Sequence, residues 1–282
     1  MLKNTFCHLP GVGLLNEKKI WLEGIISWED CVNFSTGIIS KYQTPMLINE
    51  IEDSLFNLDT GNSLYFNERL PKGQNWRLFP EFRNQIAYLD IETTGLSDLY
   101  NEITTISLYD GESVYCFVNG ENLNEFLDIV GNYKVIVTYN GKCFDIPFIE
   151  RFFKTKITQT HIDLRYVLKN LGFTGGLKGC EKKLGIARNE LEGVDGYFAV
   201  LLWKEYKTRR NIKALETLLA YNIEDVINLE KLLILSYNLN LKATPFIDTH
   251  KISLPGEITN LPYQADIDLI ERLKRQISRS FY

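Results

Sequence analysis

From residue 86 onward, short apolar and β-branched runs alternate with turn signals, and few topologies can bury such a series. Residues 86–91 (Ile-Ala-Tyr-Leu-Asp-Ile) have the length and composition of a buried strand. Two further strands are expected at 103–109 and 113–118. The Asp110-Gly111 pair between them is a hairpin signal, because its second position favours positive φ. A helix is predicted over 123–129, a fourth strand over 134–138 (Val135, Ile136 and Val137 at its centre), and a helix over 146–153. Beyond residue 157 the pattern predicts helix as far as 241, interrupted at 172–179 and 192–196. Hairpin strands, a helix, a strand and then helices imply an α/β domain over 83–240, with a mixed central sheet flanked by helices.

The flanking segments have a different texture. Residues 1–82 read as a small helical domain. A helix starts near Asn16, carries Ile20 and Trp21 and stops at Gly24; a second opens at Ser27, an N-cap with Asp30 three residues on. More helix is expected within 38–56, and 71–75 read as a loop. Pro10-Gly11-Val12-Gly13 resembles the turn of a helix-hairpin-helix element, in which Gly11 and Gly13 would free backbone N–H groups for a phosphate. The competing reading is an ordinary turn that packs Trp21 and Trp28 into a small core, and the helix before it is short for the full motif. Residues 241–282 form a C-terminal extension, irregular around Pro245, Pro255 and Pro262. An amphipathic helix closes it, with Ile267, Ile270, Leu273 and Ile277 on one face.

Composition narrows the function classes. The 282 residues carry a net charge of −5, which excludes a small module that binds nucleic acid through bulk positive charge. The segment 142–213 departs from that balance, with fifteen basic and eight acidic side chains. Within it Lys178, Lys182 and Lys183, beside a glycine-rich loop, are candidate phosphate contacts, although solvated helix faces would produce the same pattern. The five cysteines are dispersed without a C-x-x-C pair, which points away from structural zinc or a disulfide framework. No apolar stretch is long enough to span a bilayer, and the N-terminus lacks a basic start followed by an apolar run. A cytoplasmic protein with no membrane association is therefore expected.

The informative residues are carboxylates at element ends. Asp90 and Glu92 lie two apart at the end of the first strand, so both project from one face. Asp145 follows the fourth strand and opens a helix. Asp225 lies one helical turn after Tyr221. Carboxylates gathered from separate elements repel one another unless cations lie between them, and Mg²⁺ or Mn²⁺ suits an oxygen donor set. A second Asp-x-Glu, at 110–112, reads as a solvated turn. The three histidines are too scattered to form a ligand triad. His161 and Asp163 read either as support for the site or as a helix start, and Cys143 reads as a small packed residue.

Three motifs in order carry a family resemblance. Leu89-Asp90-Ile91-Glu92-Thr93-Thr94-Gly95-Leu96 resembles the first motif of the DEDD-type 3′–5′ exonucleases of the ribonuclease H-like fold. Asn140-x-x-x-Phe144-Asp145 resembles the second motif as found in family B polymerase proofreading domains. Tyr221-x-x-x-Asp225 is similar to the third motif of the tyrosine subclass (DEDDy). Residues 161–165 and 174–178, with 6–13 at the N-terminus, are similar to the YprB-like bacterial group. The resemblance implies a ribonuclease H-like fold and two divalent cations, Mg²⁺ or Mn²⁺. Asp90 would bridge both ions, Glu92 and Asp225 would complete one site, Asp145 would serve the other, and Tyr221 would orient the attacking water. It further implies contacts from Thr93, Thr94, Leu96 and Asn140 to nucleic acid, the substrate being single-stranded 3′ ends of DNA or RNA. The binding-class alternative is a non-catalytic nucleic-acid adaptor of the same fold. A third option keeps two-metal chemistry but acts on a short oligonucleotide or nucleotide.

Overall fold

The computed structural model describes residues 1–33, 45–95, 101–188, 191 and 193–280. The N-terminal segment holds helices α1 (Leu14–Leu22), α2 (Trp28–Asn33), α3 (Pro45–Asp59), α4 (Ser63–Arg69) and α5 (Phe79–Phe82). At the start of α2 the capping is reciprocal: Asp30 N–H donates to Ser27 Oγ (3.1 Å) and Ser27 N–H to Asp30 Oδ2 (2.8 Å). Before α1, Leu2–Asn4 is a 3-10 turn rather than the first helix of a helix-hairpin-helix.

A buried ion pair organises this segment. Arg77 donates Nη1 and Nη2 to Glu17 Oε1 and Oε2 at 2.9 and 2.8 Å, with both side chains almost fully enclosed. Glu17 Oε1 also accepts from the backbone N–H groups of Phe6 (2.7 Å) and Cys7 (3.0 Å). Arg77 reaches Thr5 Oγ1 and Gln74 Oε1 as well. Every nitrogen of the guanidinium and both carboxylate oxygens thereby have a partner, the condition under which a buried charge pair is tolerated. Trp21 and Trp28 are buried beside it and donate their indole N–H groups to the carbonyls of Asn4 and Thr5.

The sheet has five strands, β1 (Ile86–Thr93), β2 (Ile103–Tyr109), β3 (Val114–Val118), β4 (Val135–Thr138) and β5 (Thr160–Asp163), in the order β3-β2-β1-β4-β5. β1 pairs antiparallel with β2 and parallel with β4, β2 antiparallel with β3, and β4 parallel with β5. The β2–β3 turn is the expected hairpin: Gly111 has φ +100°, and Asp110 Oδ1 accepts from the N–H groups of Glu112 and Ser113. β5 falls where the sequence predicts helix. Its four residues, Thr-His-Ile-Asp, are too few to display alternation, and only pairing along β4 makes them a strand.

After the hairpin come α6 (Phe126–Val130), α7 (Asp145–Phe153), α8 (Leu164–Asn170), α9 (Gly176–Leu184), α10 (Gly196–Arg209), α11 (Ile212–Leu241), α12 (Ile247–His250) and α13 (Ile267–Ser280). α9 begins inside the segment predicted to be a glycine-rich loop. One face of β1, carrying Ala87, Leu89 and Ile91, packs with Ile106, Phe126, Ile136 and Phe148. The other, carrying Tyr88, Asp90 and Glu92 by the two-residue period, faces the thirty-residue α11, which lies across β1 and β2. The buried side chains of the N-terminal helices, Tyr88, Val135, Val137 and one side of α11 belong to a single apolar cluster. Among the described residues no helix is long and apolar enough to cross a membrane.

Candidate active site

The end of β1, the start of α7 and the middle of α11 meet at one cleft of about 880 Å³. Asp90 and Glu92 enter it from the strand. Tyr221 and Asp225, one helical turn apart, enter from α11, and Asp145 enters from the first turn of α7. One carboxylate oxygen each of Asp90, Glu92 and Asp225 lies within 4.8 Å of the others. Asp145 Oδ1 accepts the N–H of Ile91 (3.2 Å), which ties α7 to the strand between the two β1 carboxylates. Asn222 of α11 fixes Asp90: its Nδ2 donates to Asp90 Oδ2 (2.6 Å), while its Oδ1 accepts from Thr105 of β2 (3.2 Å).

Electrostatics set this cluster apart from ordinary surface acids. Burial, followed by repulsion from Asp225 and Asp145, holds the carboxyls of Asp90 and Glu92 well above the usual carboxylate range. Asp145 is pushed up to about 7 by burial, against the opposing hydrogen bonds from its own and Ile91's N–H groups. Asp225 is also raised by burial, while Arg188 pulls it the other way. Burial and then the Asp225 charge raise the Tyr221 hydroxyl far above its ordinary value. Asp90, Glu92 and Asp225 could hold a divalent cation: the donors are all hard carboxylate oxygens and they converge.

The loop before α7 is shaped by Asp163, at the end of β5. Its Oδ1 accepts from Asn140 N–H (2.8 Å) and its Oδ2 from Lys142 N–H (3.1 Å). Asp163 also caps α8 through Arg165 N–H, so site support and helix start are one role here. Asn140 has φ +68°, and a Cβ on Gly141 would lie 2.2 Å from Thr138 Oγ1, so this turn needs glycine at 141. Thr138 Oγ1 accepts from Gly141 N–H (3.0 Å) and pairs with His161 Nε2 (2.8 Å). The Arg165 guanidinium contacts Asn140 Oδ1. Cys143, expected to be packed, is exposed beside the Tyr166 hydroxyl, because the start of α7 turns it away from the core.

Of the remaining candidates, Thr93, Thr94 and Asn140 line the cleft, as do Phe144, Arg165 and Lys169. Lys178 stands behind it, half-buried, with Nζ 4.7 Å from the Tyr221 ring centroid. Lys182 and Lys183 are exposed on α9 outside the cleft lining, and Lys183 Nζ donates to Thr174 O (2.7 Å). Gly11 and Gly13 occupy an exposed turn that is likewise no part of that lining. Leu96 lies outside the described residues. Sequence reasoning missed Asn222, Arg165 and Arg188, whose contacts to Asp90, Asn140 and Asp225 join separate elements of the fold.

Residues 87–237 match the family model of the RNase H superfamily, more than half of the chain, from β1 into α11. The chain belongs to the RNase H superfamily. Its mixed five-stranded sheet with flanking helices is the α/β RNase H-like fold, and the acidic cluster lies at the end of that fold's central strand. A solved structure with similarity to this RNase H-like chain is the family B DNA polymerase from the hyperthermophilic archaeon Pyrobaculum calidifontis. The TM-score is 0.44 and the identity 17%, over 60% of this chain and 27% of the polymerase chain. Comparison with curated proteins gives no match.

Proposed function

We propose that this RNase H superfamily member is a divalent-cation-dependent 3′–5′ exonuclease of the DEDDy type, close to the YprB-like group. It would act on single-stranded ends of DNA or RNA. The observation that carries the reading is the convergence of Asp90, Glu92 and Asp225 oxygens within 4.8 Å, in a cleft that Asp145 and Tyr221 also line. On this reading residues 83–240 are the catalytic unit, 1–82 a helical accessory domain and 241–282 an extension. The free cysteines favour a cytoplasmic setting.

The bound cations, Mg²⁺ or Mn²⁺, would supply an activated water and neutralise charge on the scissile phosphate. Asp90, Glu92, Asp145 and Asp225 would hold them. Tyr221 keeps its proton at neutral pH, given the direction of its shift, so its hydroxyl orients a water by hydrogen bonding rather than removing a proton. Arg165 and Lys169 on the cleft wall offer positive charge to phosphates, and Phe144, Phe173 and Tyr197 offer ring faces to bases. Thr93, Thr94 and Asn140 would fix the terminal nucleotide.

The test uses 5′-labelled single-stranded DNA and RNA of equal sequence, incubated with Mn²⁺, Mg²⁺ or EDTA. A ladder shortening from the 3′ end and suppressed by EDTA is expected. Strands left intact under every condition, yet retained by the protein in EDTA, would overturn the enzyme reading in favour of an adaptor. Dinucleotides degraded in preference to long strands would redirect it to a small phosphodiester substrate.

A further inference from the structure

Arg188 follows α9 and is buried against the acidic cluster, although no motif includes it. Its guanidinium binds Glu181 in a fork, Nε to Oε2 at 2.5 Å and Nη2 to Oε1 at 2.6 Å. The same Nη2 forms an ion pair with Asp225 Oδ1. Glu181 is held from behind by Asn228 Nδ2 (3.1 Å), and Nη1 lies 4.0 Å from Glu224 Oε2. Asp225 therefore shares one of its oxygens with a fixed cation while the three-carboxylate cluster converges in front of it. The forked Glu181 bond gives the guanidinium a second home, one it keeps when the Asp225 contact is released.

We propose that Arg188 is a positioning residue that competes with the divalent cation for Asp225 and so sets how tightly the site loads. The inference rests on the metal-site reading above. A guanidinium in contact with one ligand carboxylate lowers the negative charge offered to an incoming ion and repels it directly. On loading, Asp225 would pass from Arg188 to the cation, and Arg188 would keep its fork to Glu181. The Arg188 pair compensates Asp225 in the cation-free protein and leaves the site weakly loaded until substrate phosphates add their own negative charge. Removing Arg188 then tightens cation binding, whereas a role confined to holding Asp225 in place predicts the reverse.

The experiment is a Mn²⁺ titration of the full chain without substrate, with free ion followed by electron paramagnetic resonance. It compares wild type, Arg188→Met, and the double variant Arg188→Met/Glu181→Gln. The double variant removes one charge of each sign, so it strands no buried carboxylate at 181 and leaves the net charge unchanged. Both variants are expected to lower the Kd for Mn²⁺ at least tenfold, and on an Asp225→Asn background, whose own binding is weaker, the Arg188→Met change should no longer alter the Kd. An unchanged or raised Kd in the double variant, with wild type still binding Mn²⁺, would overturn the competition while leaving the metal site standing. Absence of Mn²⁺ binding in all three proteins would instead overturn the metal-site reading and the inference with it.

Discussion

Asp90→Asn is expected to lower hydrolysis at least about a thousandfold, some 4 kcal/mol of transition-state stabilisation, and at the same time to make the cation-free protein more stable. The first effect follows from removing one of the three carboxylates that converge on the candidate cation position. The second follows from its ionisation. Burial and the neighbouring acids hold the folded-state carboxyl of Asp90 well above its ordinary range. The unfolded chain then releases this proton more readily than the folded one, and stability falls as pH rises past the ordinary carboxylate range. Asparagine mimics the protonated side chain and can still accept the Asn222 hydrogen bond. In EDTA at pH 8, urea unfolding should therefore give the variant at least about 1.4 kcal/mol more stability, the equivalent of one pKa unit, and the gain should fade towards pH 4. Saturating Mn²⁺ should reverse the order, since a ligand at a hundred times its Kd adds about 2.7 kcal/mol to a protein that binds it. A variant that is less stable than wild type in EDTA at pH 8 would contradict this account of the cluster.

Arg77→Met is expected to destabilise the protein by about 3–5 kcal/mol without touching the cleft. The substitution strands Glu17 as a buried charge, and Thr5 and Gln74 lose a donor. The carboxylate keeps the Phe6 and Cys7 amides, so the segment loosens rather than losing every tether. Urea unfolding of Arg77→Met beside Arg77→Met/Glu17→Gln tests the origin of the loss. The double variant should recover part of it, because its neutral amide can still accept those two backbone N–H groups. A loss below about 1 kcal/mol in the single variant would mean that the pair contributes little more than a surface salt bridge.

The parts of the site legible in the sequence are those in which function coincides with local periodicity. Asp90 and Glu92 share a face because a strand repeats every two residues, and Tyr221 and Asp225 share one because a helix repeats every 3.6. Asp145 was readable as the first residue of a helix following a strand. The hairpin at Asp110-Gly111 and the Ser27–Asp30 cap were legible for the same local reason. What escaped depends on partners distant in sequence. Arg77 meets Glu17 across 60 residues, and Asn222 meets Asp90 across 132. Arg188 reads as one more surface cation until α9 and α11 come together. β5 escaped because its four residues carry no period of their own; Asp163 was readable as support for the site or a helix start, but not its contact to the Asn140 turn.

The most direct test of the central claim is crystallographic. Crystals of the protein equilibrated with Mn²⁺ and measured at the manganese absorption edge should show an anomalous peak bounded by Asp90, Glu92 and Asp225, with Asp225 drawn away from Arg188. Saturating Mn²⁺ with no peak in the cleft and the Arg188–Asp225 pair intact would contradict it: the cluster would then be neutralised from within the fold, and the superfamily scaffold would have no cation to hydrolyse with.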